Sequence, residues 1–204
     1  SVAAEGTLSP DTELNHDRYI KLGGERRDCV GKVTAKMRHL IGHAHVVVDA
    51  LFGTGLSRPI EGVAAELIEL ANSKDHALRV AVDVPSGINA STGQVMGTAF
   101  RAAATTTYGL EKVGLHQYPG RSYAGIVYRV SIGLPASVVD DVGAGVRWMD
   151  EQAAACRVPK RFAAGHKGTY GHVAIIGGFT GKEGAGVLAA RGALHAGAGR
   201  VTWF

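Results

Sequence analysis

Two short apolar runs constrain this chain most: His45–Leu51 ("HVVVDAL") and Leu78–Val84 ("LRVAVDV"). Each carries an aspartate near its end, Asp49 or Asp83, and each passes straight into a turn rich in Gly, Ser and Pro. Apolar runs this short, bounded by turn residues, read as buried strands. Between them Pro59 opens a helical stretch. Val63, Leu67, Ile68 and Leu70 fall on one face of it, with Glu61, Glu66 and Glu69 mostly opposite. Further strands are expected at Ala102–Tyr108 and Ile126–Ser131. Strands separated by helix-length segments pair in parallel, so the fold class is α/β.

Before these strands, Ser1–Asp11 reads as irregular, Glu13–Leu22 as a short helix and Val33–Ile41 as a second. After them, Ala136–Gly165 loses the rhythm. A new start follows, with a buried strand at His172–Gly178, an alanine-rich helix at Gly184–Gly199 stopped by glycines, and a strand at Arg200–Phe204. A domain does not normally stop inside an apolar strand, so the expectation is a fragment. Its first domain is expected to span 1–140, a lead-in 141–165, and the opening of a second domain 166–204.

Composition narrows the class. The 204 residues are 46% hydrophobic and 20% charged, which suits a globular chain with a sizeable core. The net charge of +4 comes from scattered basic residues, with no arginine-rich arm, so nucleic acid is not an expected partner. No apolar run approaches the ~20 residues that span a bilayer, and no signal pattern opens the chain. Cys29 and Cys156 lie far apart, which argues against a disulfide framework and for the cytoplasm. The 29 glycines cluster at the ends of apolar runs, where backbone amides can approach a phosphate or substrate closely.

In open α/β sheets ligands bind beyond the carboxyl ends of the strands. If the strands of Asp49 and Asp83 are neighbours, both carboxylates face one crevice. The loop Gly53-Thr54-Gly55-Leu56-Ser57-Arg58-Pro59 and the turn Pro85-Ser86-Gly87 lie beside them. Carboxylate, hydroxyl and carbonyl oxygens suit a hard cation or a hydroxylated substrate. Arg58, with the loop amides, suits a phosphate. The plainer alternative is that each Asp caps the element that follows it. Lys112 reads equally as a cation near the site or as a solvated loop residue. His43 and His45 lack a third ligand and read as strand-edge residues. Gly184-x-Gly186-x-x-Ala189 matches the short dinucleotide fingerprint only weakly, and "GFTGKEG" fails the spacing of a phosphate-binding loop.

The segments "DALFGTGLSRPIEG", "VDVPSGINASTGQ", "TTTYGLEKVGLHQYPGRSYAG" and "VSIGLP" resemble, in order, the NAD(P)HX epimerase domain. "HKGTYGHVAIIGG" and "GAGVLAARGALHAGAGRV" resemble the opening of the ADP- or ATP-dependent NAD(P)HX dehydratase. The tandem order is that of bifunctional nicotinamide-nucleotide repair enzymes. The resemblance implies a Rossmann-like parallel-sheet epimerase domain, incomplete, followed by the start of a ribokinase-like α/β domain. It implies epimerisation of R- and S-hydrates of NADH or NADPH, and dehydration of the S form with ADP or ATP, for which magnesium is a possible companion. Asp49 and Ser86 match positions that bind potassium. Gly53–Pro59 and Asp83 match positions that hold the hydrated cofactor, and Ala185 matches a substrate contact of the dehydratase. Asp49, and with less weight Asp83, are the expected proton-transfer groups. A homo-oligomer is left open.

The chain departs from the family pattern. An Asn- and Gly-rich segment normally upstream of the Asp49 strand is absent, and so is a further domain-sized stretch of ~200 residues after the dehydratase opening. Taken alone, the chain is therefore expected to be weakly active or inactive. Two other readings stand beside this one: a non-catalytic epimerase-like interaction scaffold, and a ribokinase-like small-molecule kinase.

Overall fold

The structure, a computed structural model, describes residues 10–29, 31–143 and 145–204. The chain divides into two compact units, one running to Val146 and one from Arg147.

The first unit begins with helix α1 (Pro10–Lys21), three residues before the expected start at Glu13, so Pro10 and Asp11 of the segment read as irregular are helical. Proline at a first helical position loses no hydrogen bond, and Asp11 and Glu13 in the first turn complement the helix dipole. The rest of the expected irregular segment, residues 1–9, lies outside the described residues. Helix α2 (Ala35–Gly42) starts after Thr34, whose side chain accepts from the Met37 N–H.

The sheet follows. Strand β1 (Val46–Asp49), helix α3 (Gly62–Asn72) and strands β2 (Leu78–Val82), β3 (Ala104–Tyr108) and β4 (Ile126–Val130) build a four-stranded sheet in the order β1-β2-β3-β4. Every pairing is parallel, as the alternation of strands and helix-length segments predicts. Register pairs Asp49 with Ala81, so the carboxyl ends of β1 and β2 lie side by side. A short 3-10 helix at Val113–Leu115 and helix α4 (Arg121–Ala124) connect β3 to β4.

Helix α3 starts three residues later than Pro59. Ile60 is buried and its N–H donates to Met96 O, which keeps Pro59–Glu61 extended. The helix buries Ala64, Ile68 and Ala71, while Val63, Leu67 and Leu70 are half-buried at its flanks. Small side chains let the helix axis approach the sheet closely, so the buried stripe follows the alanines and not the leucines. Ile60, Ala64, Ile68, Ala71, Ala81 and Phe100 form one core cluster, and Val84, Ile88, Ala99, Leu115 and Ala124 form a second. Burying each large apolar side chain contributes about 1.5–3 kcal/mol. The opposite face of the sheet is apolar and exposed at Val46, Val48, Leu78, Ile126 and Tyr128. Beyond β4 a helix α5 (Ala136–Val142) forms within the stretch that the sequence leaves without rhythm.

In the second unit, helix α6 (Glu151–Ala155) is capped by the Asp150 carboxylate, which accepts from Ala153 N–H. Strands β5 (His172–Ile175) and β6 (Arg200–Trp203) pair in parallel around helix α7 (Glu183–His195). A Cβ on Gly186 would lie 2.1 Å from Trp203 Cε2, so this glycine lets the β6 tryptophan lie against α7. That contact accounts for Gly186 in the short fingerprint without a dinucleotide. Among the described residues no helix is long and apolar enough to cross a membrane. Cys29 is buried, Cys156 is exposed, and both are free.

Candidate active site

Parallel pairing of β1 and β2 brings Asp49 and Asp83 to one sheet edge. Asp49 ends β1, and Asp83 follows the last residue of β2. The two carboxylates nevertheless live in different surroundings.

Asp49 is 4% exposed. Its Oδ2 accepts from the Ser86 N–H at 2.7 Å, and its Oδ1 accepts from the Ser86 hydroxyl at 2.6 Å and from the Leu51 N–H at 3.3 Å. Burial pushes the Asp49 carboxyl above its ordinary range, and the Ser86 and Leu51 hydrogen bonds pull part of the way back. Ser86, itself 1% exposed, also accepts from the Phe52 N–H at 2.9 Å and approaches Phe52 O at 3.3 Å. The end of β1, the turn after β2 and the entry to the glycine loop are thus joined through one hydroxyl.

The Pro85–Gly87 turn that aims Ser86 is locked from behind. Met96 N–H donates to Gly87 O, and Phe100 N–H donates to Ser86 O. Gly87 has φ +95°, and a Cβ there would lie 1.9 Å from Thr98 O, so only glycine fits.

Asp83 is the one described non-glycine residue with positive φ, at 69°. A left-handed backbone at a side-chain-bearing residue costs on the order of 1–2 kcal/mol and persists only where its surroundings hold it. Here the Asp83 N–H donates to Thr106 O at 2.7 Å. Its Oδ1 accepts from Lys112 Nζ at 2.5 Å and from the Thr107 hydroxyl and Tyr108 N–H at 3.3 Å each. Oδ2 takes no hydrogen bond among the described residues. It lies 3.9 Å from where a Gly53 Cβ would be, so the missing side chain of Gly53 keeps one face of the carboxylate open.

Past Gly53 the loop turns with Leu56 N–H donating to Gly53 O. Thr54, Gly55, Ser57, Arg58 and Pro59 are exposed, while Leu56 is half-buried against the core. A groove of about 250 Å³ lies between this loop and the first turn of α3, lined by Phe52, Leu56, Arg58, Pro59 and Glu61. The fold therefore gathers Asp49, Ser86, Asp83 and Gly53 and leaves Arg58 at the rim. Ala185 lies in the second unit, exposed in the first turn of α7.

Lys112, which the sequence left undecided, belongs with the site because its side chain reaches Asp83. The available signal was a lysine four residues beyond the end of β3. His43 caps the end of α2 and stacks on His39 with ring centroids 4.2 Å apart, so it is not a strand-edge residue.

Among the described residues, no three His, Cys, Asp or Glu side chains gather as a metal site. For potassium the chemistry of the donors is a fit. Asp49 and Ser86 offer oxygen only, and among the described residues no cationic side chain is bonded to the buried Asp49 carboxylate. At the start of α7 the Glu183 carboxylate accepts the Gly181 N–H at 2.8 Å.

The family model described as YjeF-related protein N-terminus matches residues 1–114. A protein of Moorella thermoacetica named bifunctional NAD(P)H-hydrate repair enzyme Nnr is 39% identical over 193 residues, which is 94% of this chain and 36% of that protein. The enzyme of the same name from Thermofilum pendens is 36% identical over 97% of this chain and 37% of its own length. A protein named NAD(P)H-hydrate epimerase from Limosilactobacillus reuteri is 48% identical over 88 residues, 43% of this chain and 41% of that protein. The chain thus spans a little over a third of the length of these bifunctional relatives.

Proposed function

The chain belongs to the YjeF-related protein N-terminus family, and from that premise we propose that its first unit carries the epimerase site of a nicotinamide-nucleotide repair enzyme. The substrate is NADH or NADPH to which water has added at the ring carbon next to nitrogen. The observation that carries the reading is Asp83: a carboxylate at the sheet edge, held in a left-handed backbone, with one oxygen bound and the other open beside Gly53.

A carbon bearing both a hydroxyl and a nitrogen can invert by losing and regaining water. Once the hydroxyl is protonated, the C–O bond breaks, water leaves, and the nitrogen lone pair forms a planar C=N⁺ unit. Water then adds to the opposite face and gives up a proton, so atoms and charge balance and only configuration changes. We assign both proton transfers to Asp83 Oδ2, which takes a proton from solvent, gives it to the departing hydroxyl and regains one from the entering water. Asp49 is engaged on both oxygens and buried, which suits it to organising the edge rather than to meeting substrate. Asp49 and Ser86 would hold a potassium ion, which when bound supplies charge compensation for the buried carboxylate. The loop amides of Thr54, Gly55 and Ser57 and the Arg58 guanidinium would take the phosphates.

The dehydration step, with Ala185 at the substrate and ADP or ATP as co-substrate, stays a proposal about the longer relatives' second activity.

Single-epimer hydrated NADPH in ¹⁸O-labelled water tests the mechanism. Protein-dependent inversion should bring one solvent oxygen into the product hydroxyl. Inversion without label would overturn the water-loss route.

A further inference from the structure

We propose that Lys112 is a positioning residue for Asp83, fixing which carboxylate oxygen faces the crevice; this rests on the epimerase reading. An ammonium has three N–H donors. Lys112 Nζ directs them at three acceptors: Asp83 Oδ1 at 2.5 Å, the Thr107 hydroxyl at 3.0 Å and Tyr108 O at 2.9 Å. Its donors are therefore spent on the protein, and none is left for a substrate phosphate. The pair is largely withdrawn from water, with the Lys112 side chain 18% exposed and that of Asp83 24% exposed.

The arrangement is directional. Thr107, fully buried, donates to Asp83 Oδ1 while accepting from Lys112, so the three side chains close a ring on one carboxylate oxygen. Oδ1 is saturated and Oδ2 is turned toward Gly53. Nothing in the backbone alone favours φ 69° at an aspartate. The ammonium supplies the attraction that keeps the side chain, and with it the strained backbone, in this state. An arginine could not replace it, because a planar guanidinium spreads its donors over a fork and cannot send three of them from one nitrogen to these three acceptors.

The test compares wild type, K112M and K112A. Methionine keeps the length of the side chain and removes the charge. By NMR, the Asp83 ¹³Cα and ¹³Cβ shifts and its HN–Hα coupling should leave left-handed values in K112M, while amides remote from the site stay in place. In the epimer assay, kcat should fall at least 10-fold in K112M with KM within 2-fold. Ethylammonium, but not tetramethylammonium, should restore part of the K112A rate. Unchanged Asp83 shifts in K112M would overturn the proposal whether or not the protein is active. So would a K112M effect confined to KM, the signature of a phosphate contact. Wild type without epimerase activity would instead refute the functional reading, and the NMR result would still decide the positioning of Asp83.

Discussion

Ser86 holds Asp49 from two directions, its backbone N–H on Oδ2 at 2.7 Å and its hydroxyl on Oδ1 at 2.6 Å. Removing the hydroxyl leaves a desolvated carboxylate short of one donor and the Phe52 N–H short of its acceptor. Hydrogen bonds to charged groups are worth about 1.5–3 kcal/mol, so S86A should lose stability in that range by urea denaturation. A loss under about 0.5 kcal/mol, the scale of an ordinary surface substitution, would show that the bond is not made.

Burial raises Asp49 above its ordinary value of 3.8. The folded protein then holds a proton in a pH interval where the unfolded chain has released it. The Asp49 contribution to stability is fully present below 3.8 and is lost as pH rises through the raised folded value. An asparagine has no such dependence. In potassium-free choline buffer, the Tm of wild type minus that of D49N should therefore increase as pH falls from 7 toward 4. A difference that stays flat or shrinks on acidification would contradict the raised value.

Potassium should act in the opposite sense to the proton. Bound beside Asp49, it stabilises the ionised form, and at ten times its Kd it adds about 1.4 kcal/mol by mass action. Thermal scans in KCl against choline chloride at equal ionic strength should show a higher Tm in KCl, more so at pH 8 than at pH 6. D49N should lose the difference. Equal responses to the two salts would remove potassium from the site.

The strain at Asp83 is separable from its carboxylate. D83A and D83G both discard the side-chain contacts to Lys112, but only alanine retains a Cβ at positive φ. D83G should be the more stable of the two by about 1 kcal/mol in urea denaturation, and both should be inactive. Alanine equal to or more stable than glycine would show that residue 83 does not hold a left-handed backbone.

What the sequence revealed of this fold was local. Short apolar runs and their turn residues located β1 to β4 to within a few residues, since a buried strand needs little beyond its own side chains to declare itself. The paired aspartates at strand ends were legible for the same reason. The start of α3 was not, because the Ile60 hydrogen bond to Met96 O is made by residues 36 positions apart. The division of labour between the aspartates was equally hidden. Ser86 reaches Asp49, and Lys112 reaches Asp83, only after the β-edge loops have folded together. Nothing in "EKVGLHQ" states that Lys112 turns back to a residue 29 positions earlier.

The most direct test of the central claim starts from either pure epimer of hydrated NADPH, with the protein in KCl, and follows the R to S ratio by chromatography. Epimerisation by this site predicts that both starting epimers reach the same ratio at a rate proportional to protein concentration. D83N should bring that rate down to the spontaneous one. A rate that does not depend on protein, or one that D83N leaves unchanged, would contradict it.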